Sequence, residues 1–443
     1  MNLEKLKNKN LIILGIGREG ADSLAFFRKL FPKKVLAIAD QRTFSNFEDS
    51  LKKTLAKDKN LKLFLGKNYL TALKDYDVVI KSPGIKYKDI KKYLKKNAQV
   101  TSQTQLFFEN CPAKIIGITG TKGKSTTSSL IYHILKTNKF KTYLLGNIET
   151  PSLSFLLKIK KKDFVVYELS SHQLQFLNKS PEIGLFLNIY PEHLDYYKNF
   201  KEYFKAKENI AKYQKKTDYF IYNSKFPLIK NLAQKSKSKK ILINPEKIEK
   251  IITQNQFLKK ITHSDNLSAV FETAKILKIP TEKTIKSLKT FKPLDHRLEF
   301  IGEYKKIKFY DDSIATIPEA TIFALDSLGE SVETLIAGGF DRGIDFSKIS
   351  KAIPKTKIKN IILFPTSGQK IWAGIPLEQK KKLNRFFIND MASAVKIAFE
   401  KTNPNKICLL SCASPSFGIF KDFKERGDQF KKFVKQYGAQ KKK

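Results

Sequence analysis

The sequence predicts an α/β fold in three domains, each built around a mostly parallel sheet. At 443 residues the chain is too long for one ordinary hydrophobic core. Short runs rich in β-branched and aromatic residues alternate with amphipathic stretches, a pattern typical of a parallel sheet covered by helices. Two of these runs end in glycine-rich turns, at Gly15–Gly20 and at Gly117–Gly123. Such turns lie where parallel sheets bind ligands.

The strand candidates divide the chain into three parts. The first domain is assigned to residues 1–110 and is expected to be Rossmann-like, with strands in LIILGIG, VLAIAD and YDVVIKSPG and a helix in ADSLAFFRKLF. The central domain, residues 111–292, has strands in KIIGITG, FVVYELSS and IGLFLNIY and is expected to resemble a P-loop ATPase. The third, residues 293–443, is again expected to be Rossmann-like, with strands in IKFYDDS, TLIAGG, IKNIILF and KICLLSCAS. The lysine-rich stretch 230–260 gives no clear prediction.

Composition argues against membrane and secreted classes. No run of about 18 apolar residues is present, so stable membrane insertion is not expected. The basic start is followed by a short apolar run that leads directly into a glycine turn, which favours a first strand over a secretion signal. Three cysteines without a CxxC pair fit a reducing compartment. We expect a cytoplasmic protein, and a monomer.

The chain is strongly basic, with a formal net charge of +42 from 84 Lys+Arg and 42 Asp+Glu. The lysines are scattered through nearly every segment, and no basic block is dominant beyond the short tail Lys441–Lys443. We therefore interpret the charge as a lysine bias that favours anionic, phosphorylated ligands, and we expect no nucleic-acid partner. A basic nucleic-acid-binding ATPase remains the alternative from outside this class, although neither RNP aromatic residues nor helicase-type motifs are recognisable.

The segment GITGTKGKSTT, Gly117 to Thr127, predicts a nucleoside triphosphate site. A glycine turn between a strand and a helix exposes backbone N–H groups and the positive end of the helix to phosphate oxygens. Lys124 would reach the terminal phosphates and Ser125 would bind Mg²⁺. The spacing departs by one residue from GxxxxGK[ST]. The predicted ATP-binding residues of this loop are Gly120, Thr121, Lys122, Gly123, Lys124, Ser125 and Thr126.

Two further patterns carry chemistry. Glu168 ends an apolar strand and offers the hard oxygen ligand that Mg²⁺ prefers. Gly15, Gly17 and Gly20 form GxGxxG after a strand, and Asp40 ends the next one. Taken alone, this second pattern is the NAD fingerprint, so an NAD-dependent dehydrogenase is its natural interpretation. The complete ATP loop in the next domain, and the lack of a recognisable hydride-transfer site, argue against that alternative.

The loop GITGTKGKSTT resembles that of the Mur ligases, ATP-dependent enzymes that add amino acids to the peptidoglycan precursor. Further similarities follow in order along the whole chain: GNIETP (146–151), YELSSHQLQ (167–175), NIYPEHLDYY (188–197), FKAKENI (204–210), DHRLE (295–299) and FYDDSIAT (309–316). Within the family, GGFDRGIDF (338–346) and SPSFGIFKDFKERG (414–427) most resemble the member that adds glutamate to UDP-N-acetylmuramoyl-L-alanine.

The resemblance implies a reaction, its substrates and its metal ions. Transfer of the γ-phosphoryl group of ATP would give an acyl phosphate, which the glutamate amine then attacks. The implied catalytic residues are Lys124, Glu168, His193 and Lys207. Two Mg²⁺ ions are implied, with Ser125, Glu168, His193 and Lys207, the last as a carbamate, as their ligands.

The resemblance also implies contacts to both nucleotides. ATP would be bound by Asn266, Arg297 and Asp312 in addition to the loop. By the resemblance, the first domain would bind UDP rather than NAD, and the diphosphate of UDP presents the same charges to the same kind of turn. The residues implied for the UDP substrate are Gly15, Gly17, Arg18, Asp40, Gln41, Arg42, Ser82, Pro83, Gly84, Asn147 and His193.

The incoming glutamate needs cationic and hydrogen-bonding groups for its two carboxylates. Arg342 is suited to bidentate pairing with a carboxylate. The resemblance adds Thr316, Ser416 and Phe423 as amino-acid-binding residues. In one departure, the usual DSKAT reads DSIAT here, so Ile314 stands where the family has a lysine. D-glutamate is expected, and L-glutamate or another amino acid remains an alternative.

Overall fold

The computed structural model describes residues 3–148, 150–193, 196–255, 258, 261–292, 295–341, 343 and 345–439. The chain forms two compact units, residues 1–291 and 292–443. The first unit contains two sheets and the second contains one. Helices connect most of the strands, so the predicted α/β class is confirmed. The three-domain division stays a prediction.

The first sheet has five parallel strands in the order β3-β2-β1-β4-β5. The strands are β1 Leu11–Leu14, β2 Leu36–Asp40, β3 Leu61–Leu65, β4 Val78–Lys81 and β5 Gln99–Thr101. The helices are α1 Arg18–Leu30, α2 Asp49–Lys57, α3 Tyr87–Ile90 and α4 Gln103–Asn110. Strands β1, β2 and β4 are buried on both faces, which is why they read as unbroken apolar runs. The strand order reverses between β1 and β4, a position where such sheets bind ligands.

The second sheet has six parallel strands in the order β11-β10-β9-β6-β8-β7. The strands are β6 Lys114–Thr119, β7 Thr142–Gly146, β8 Phe164–Glu168, β9 Ile183–Phe186, β10 Tyr219–Tyr222 and β11 Lys239–Leu242. The helices are α5 Lys124–Thr137, α6 Leu153–Leu156, α7 Ser171–Leu174, α8 Phe200–Glu208, α9 Pro227–Lys235, α10 Glu249–Gln254, α11 Ser264–Ile276 and α12 Thr281–Lys289.

The third sheet has the order β12-β13-β17-β14-β15-β16. Its strands are β12 Glu299–Tyr304, β13 Ile307–Asp311, β14 Val332–Gly338, β15 Asn360–Phe364, β16 Asn384–Phe387 and β17 Ile407–Leu410. Its helices are α13 Pro318–Leu328, α14 Ser347–Ala352, α15 Ser367–Ala373, α16 Leu377–Lys380, α17 Met391–Lys401 and α18 Phe423–Ala439. All its pairs are parallel except β12 with β13, a hairpin that adds an antiparallel edge strand.

The two sheets of the first unit share one hydrophobic core. Phe107 and Phe108 of α4 are fully buried, and their rings lie 5.5 and 5.2 Å from that of Tyr167 on β8. Because α4 directly follows the first sheet, this aromatic cluster ties it to the second. Within the described ranges, none of the helices combines the length and the apolar character needed to cross a bilayer.

Candidate active site

Three neighbouring strands of the second sheet bring the predicted ATP residues to one edge. In the register, Ile118 of β6 lies beside Glu168 of β8, and Thr119 lies beside Phe186 of β9. The loop 120–123 follows β6, Glu168 ends β8, and the segment 188–193 follows β9. Since the carboxyl ends of parallel strands meet at one edge, these groups lie close together.

The loop requires two of its glycines. Gly120 and Gly123 have φ angles of +157° and +78°. A Cβ atom on Gly123 would lie 2.7 Å from Nδ2 of Asn266. Gly123 also precedes α5, whose first residues are Lys124, Ser125 and the buried Thr126. The unpaired N–H groups of this first turn form the positive end of α5 beside the loop.

Asn188 holds the loop from the end of the neighbouring strand. Its Oδ1 accepts from the backbone N–H of Lys122 at 2.8 Å, and its Nδ2 donates to the Lys122 carbonyl at 3.1 Å. The N–H of Thr121 donates to the Asn188 carbonyl at 3.0 Å. Asn188 is not among the residues predicted from the sequence, although its position just after an apolar strand is a usable signal.

Lys124 folds back over the loop that precedes it. Its Nζ donates to the carbonyl oxygens of Gly120 at 3.0 Å and Thr121 at 2.9 Å. The hydroxyl of Thr121 accepts from the N–H of Tyr190 at 2.9 Å and lies 3.2 Å from the hydroxyl of Tyr203. The side chain of Lys124 is thus at the loop, where a terminal phosphate would lie.

Lys207 is fully buried beneath the same loop. Its Nζ donates to the Gly120 carbonyl at 3.0 Å and to the Thr119 hydroxyl at 3.3 Å, and lies 5.0 Å from the centre of the Tyr203 ring. Burial holds the pKa of Lys207 well below its usual value, and the charge of Lys124 lowers it further, against the opposing effect of Glu192 and Glu168. Part of the amine is therefore neutral at a pH where surface lysines are charged.

Glu168 is buried at 1% exposure. Its Oε1 accepts from Nδ2 of Asn147 at 2.9 Å, and the Asn147 N–H donates to the Glu168 carbonyl at 3.0 Å. Among the residues that the structure describes, no group donates a hydrogen bond to the buried Oε2 of Glu168. Leaving a carboxylate oxygen unsatisfied is costly, and a cation ligand would remove that cost.

His193 lies on the loop after β9 with a φ of +57°. Its ring centre is 4.9 Å from that of His172 and 6.1 Å from that of Tyr203, and Nε2 lies 3.6 Å from Oε2 of Glu192. Through Tyr203 the histidine and Lys207 border the same aromatic ring. The donor set of Glu168, His193 and Ser125, with an anionic form of Lys207, fits a hard divalent cation.

The glycine turn of the first sheet packs against the turn after β4. Gly15 has a φ of +88°, and a Cβ atom there would lie 2.9 Å from Oγ of Ser82. The Ser82 hydroxyl donates to the Gly15 carbonyl at 2.8 Å. Gly17, Arg18, Gln41 and Gly84 are exposed around this junction, and Pro83 is half-buried. The two turns therefore meet where the strand order reverses.

Asp40 and Arg42 flank this turn as an ion pair. Oδ2 of Asp40 accepts from the N–H of Ile16 at 2.8 Å and from Nη2 of Arg42 at 2.9 Å. Burial opposes ionisation of Asp40, but the hydrogen bonds from Arg42 and Ile16 outweigh it, so the pKa of Asp40 is lowered. The carboxylate thus orients the turn and the guanidinium together.

The remaining nucleotide residues occupy different places. Asn266, buried in the first unit, donates to the Thr262 hydroxyl at 2.9 Å and lies against Gly123. Arg297 and Asp312 belong to the second unit. Burial raises the pKa of Asp312 to about 7, although the Ser411 hydroxyl, which donates at 2.7 Å, and the charge of Arg297 act in the opposite direction.

The amino-acid-binding residues lie in the second unit. Ser416 is buried, and Thr316 and Phe423 are half-buried. Arg342 lies outside the described residues. Ile314 is half-buried in the turn after β13, where its N–H donates to the His296 carbonyl at 3.1 Å.

Arg426 organises this region and was missed by the sequence analysis. It is fully buried and donates to the Ser313 hydroxyl at 3.0 Å, the Ser313 carbonyl at 2.7 Å and the Ser414 carbonyl at 3.1 Å. The Ser313 hydroxyl in turn donates to the Phe423 carbonyl at 2.8 Å. One guanidinium therefore joins the segments that carry Thr316, Ser416 and Phe423.

Comparison with known proteins gives consistent results. Residues 118–289 match the family model described as the Mur ligase middle domain. A UDP-N-acetylmuramoylalanine–D-glutamate ligase of Acetivibrio thermocellus is 33% identical over 467 residues, covering 98% of each chain. Enzymes of the same name from Clostridium tetani and Clostridium acetobutylicum are 33% and 34% identical, covering 97% of each chain.

Solved structures share the fold at low sequence identity. MurF ligase from Thermotoga maritima in complex with ADP aligns with a TM-score of 0.59 at 14% identity, covering 99% of this chain and 97% of that one. UDP-N-acetylmuramate-alanine ligase MurC from the same organism aligns with a TM-score of 0.58 at 15% identity, covering 98% and 100%.

Proposed function

The chain belongs to the Mur ligase family, and from that premise we propose that it joins D-glutamate to the alanyl carboxyl group of UDP-N-acetylmuramoyl-L-alanine at the expense of ATP. The observation that carries the proposal is that the half-buried Lys124 and the buried Lys207 both bond to the Gly120 carbonyl, with the buried Glu168 at the end of the neighbouring strand. The three relatives named above carry this activity in their names. The reaction would be a step of cytoplasmic peptidoglycan precursor synthesis, performed by a monomer.

The chemistry begins with the carboxylate of the alanyl residue. One of its oxygens attacks the γ-phosphorus of ATP, the bond to the β,γ-bridging oxygen breaks, and ADP leaves. Lys124 now donates to loop carbonyls, and its ammonium would turn to the γ-phosphate, where it offsets the negative charge that crowds the transition state. The N–H groups at the start of α5 act on the same oxygens.

The second half of the reaction forms the amide. The neutral amine of glutamate attacks the acyl carbon, and the tetrahedral intermediate releases phosphate. The amine proton passes to a base before collapse. Arg342, Thr316, Ser416 and Phe423 would hold the glutamate, and they remain predictions from the resemblance and from residue chemistry, as do the ATP contacts of Asn266, Arg297 and Asp312.

The residues present fit divalent cations, and we propose two Mg²⁺ ions. Glu168 with its unsatisfied Oε2, Ser125 at the start of α5, and His193 would be ligands. When bound, Mg²⁺ would neutralise phosphate oxygens of ATP. Asn147 holds Glu168 through a hydrogen bond to Oε1, so that Oε2 would be the oxygen available to an ion. Lys207 would have to become an anion before it could act as a ligand of the ion.

We propose that Lys207 is carbamylated. The neutral amine adds to carbon dioxide, the nitrogen loses a proton, and a carbamate anion results. The lowered pKa of Lys207 makes the neutral amine available. The conversion also turns the repulsion between Lys207 and Lys124 into attraction.

The UDP moiety would bind at the first sheet. The Gly15 turn, the Asp40–Arg42 pair and the Ser82 turn meet where the strand order reverses. The start of α1 adds the positive end of a helix at this place. NAD would satisfy the same turn, but family membership favours UDP.

The test is a matrix of amino-acid substrates. UDP-N-acetylmuramoyl-L-alanine, ATP and Mg²⁺ are incubated with D-glutamate, L-glutamate or another amino acid, and products are identified by mass. We expect a D-glutamyl product in step with release of ADP and phosphate. A preferred L-glutamate product would mean that the enzyme adds L-glutamate instead of D-glutamate. That result would agree with the replacement of the family lysine by Ile314. Phosphate release that depends on polynucleotide, without amide product, would refute the ligase assignment.

A further inference from the structure

Glu19 stands at the turn proposed to bind the UDP diphosphate. It is the second residue of α1, the helix that directly follows Gly15–Gly17, and its side chain contacts the segment after β8. There Oε1 accepts from Nε2 of Gln173 at 2.7 Å, and Gln173 lies on α7, just beyond Glu168. The carboxyl group therefore links the glycine turn to the segment after β8.

The surroundings of Glu19 do not favour a negative charge. Its Oε2 is buried, and within the part of the chain that the structure describes it has no hydrogen-bond partner. Gln173 on α7 and Tyr167 on β8 are neutral neighbours, and Asp22 on α1 itself is a second acid. Lys81 at the end of β4 is the cation that faces Glu19.

Lys81 is already engaged elsewhere. Its buried Nζ donates to the carbonyl oxygens of Ser82 at 2.9 Å, Pro83 at 3.3 Å and Ile85 at 2.6 Å. It forms no ion pair with Glu19 among the described contacts, and burial lowers the pKa of Lys81 to about 8. Burial raises the pKa of Glu19 to about 7, with Asp22 adding to the rise and the Gln173 bond and Lys81 opposing it.

An ionised Glu19 and a bound diphosphate would be two anions at one helix end. Each weakens the attraction of that end for the other, in a setting of low dielectric constant. We propose that Glu19 takes up a proton when the diphosphate of the substrate binds at the glycine turn, so that this residue tunes the affinity for UDP substrates. The inference rests on the proposed binding of a UDP nucleotide at the first sheet.

The sign of the effect follows from linkage. Bound diphosphate raises the pKa of Glu19 above the value in the free protein, so binding draws a proton from the buffer between the two pKa values. At pH 7 we expect uptake of about half a proton, and affinity falls by up to about tenfold per pH unit above that. Protonation keeps the Gln173 bond, because Oε1 still accepts.

Calorimetry tests the inference. UDP-N-acetylmuramoyl-L-alanine, whose diphosphate and carboxylate do not titrate between pH 6.5 and 8.5, is bound to the full chain in buffers of different ionisation enthalpy. We expect proton uptake in the unmodified protein. Glu19→Gln, which keeps the acceptor oxygen, should show no uptake at pH 7 and should bind several-fold more tightly than the unmodified protein at pH 8.5.

Asp49→Asn is the matched control. Asp49 lies in the first turn of the neighbouring helix α2, its side chain is 89% exposed, and the variant should retain proton uptake. Absence of uptake in the unmodified protein overturns the inference without requiring any variant. Uptake that persists in Glu19→Gln assigns the proton to Lys81 and also overturns it. Failure of the substrate to bind at any pH would instead refute the proposed function.

Discussion

Lys124 and Lys207 donate to the same acceptor, the carbonyl oxygen of Gly120, with both Nζ atoms at 3.0 Å. Two ammonium groups that share one oxygen repel each other, and the buried one loses its proton more easily. A triphosphate would draw Lys124 away, while carbamylation would make Lys207 an anion. The two lysines therefore have opposite expected roles, and variants can separate them.

Lys124→Ala should slow ligation strongly. It removes the ammonium proposed to turn to the γ-phosphate, and loss of one charged donor to a transition-state oxyanion reduces kcat by about 10²–10³-fold. ADP release is measured with saturating substrates. Lys136→Ala, in the last turn of the same helix, is the control and should keep full activity. Undiminished amide formation by Lys124→Ala would contradict the assigned role of the loop.

Lys207 should carry a carbamate that exchanges with bicarbonate. Incubation with ¹³C-bicarbonate is expected to give a carbamate signal by NMR, and depletion of carbon dioxide should reduce activity reversibly. Lys207→Met should lose both the signal and the activity. Lys205→Met, an exposed lysine on the same helix, should retain both. A signal of equal size in Lys207→Met would locate the carbamate elsewhere.

Asn188→Ala should weaken ATP binding more than it slows the reaction. Both side-chain bonds to Lys122 are lost, at a cost of about 1–3 kcal/mol for the unsatisfied loop groups, and the loop must then be ordered by the ligand. We expect KM for ATP to rise by about tenfold or more, with a smaller change in kcat. The exposed Asn68→Ala is the control. A fall in kcat at unchanged KM would give Asn188 a different role.

Ile314→Lys should strengthen glutamate binding if the half-buried turn after β13 borders the amino acid. An added ammonium attracts a carboxylate, so KM for D-glutamate should fall by several-fold while KM for ATP stays constant. Initial rates measured over a range of D-glutamate and ATP concentrations give the two KM values. An unchanged KM for glutamate would mean that the family lysine and this position are not equivalent here.

The sequence predicted the interior strands better than the edges. Six of the seven strands that it did not predict, β3, β5, β7, β11, β12 and β16, are the edge strands of the three sheets. An edge strand is covered on fewer sides, so polar residues interrupt its pattern: β11 reads KKIL and is mostly exposed. The seventh, β10, is an interior strand, but only its two central residues are buried and the segments on either side of it are rich in lysine and polar residues.

The site residues could be predicted where a local sequence pattern indicates their chemistry. Glu168 could be found because it ends an apolar strand, and Lys124 because it begins a helix directly after a glycine-rich loop. Asn188, Tyr203 and Arg426 could not, because their importance comes from which strands are neighbours. Arg426, for example, bonds to Ser414 and also to Ser313, which is more than 100 residues away along the chain. That adjacency exists only after the sheet has formed.

Asp312 should make the second unit less stable as the pH rises. The folded state holds the proton of Asp312 up to about pH 7, whereas the unfolded chain releases it near 3.8, the ordinary pKa of an aspartate. Between these values the folded state binds more protons, so the free energy of unfolding falls with increasing pH.

Asp312→Asn removes this penalty and should be more stable by about 2 kcal/mol at pH 8, with little difference at pH 4. Fluorescence of Trp372, the single tryptophan and a residue of this unit, reports the unfolding. The exposed Asp326→Asn is the control. Because Asp312 is also a predicted nucleotide contact, the stabilised variant should have weaker ATP binding. Equal pH dependence in Asp312→Asn and the unmodified protein would show that this carboxyl group is ionised in the folded state.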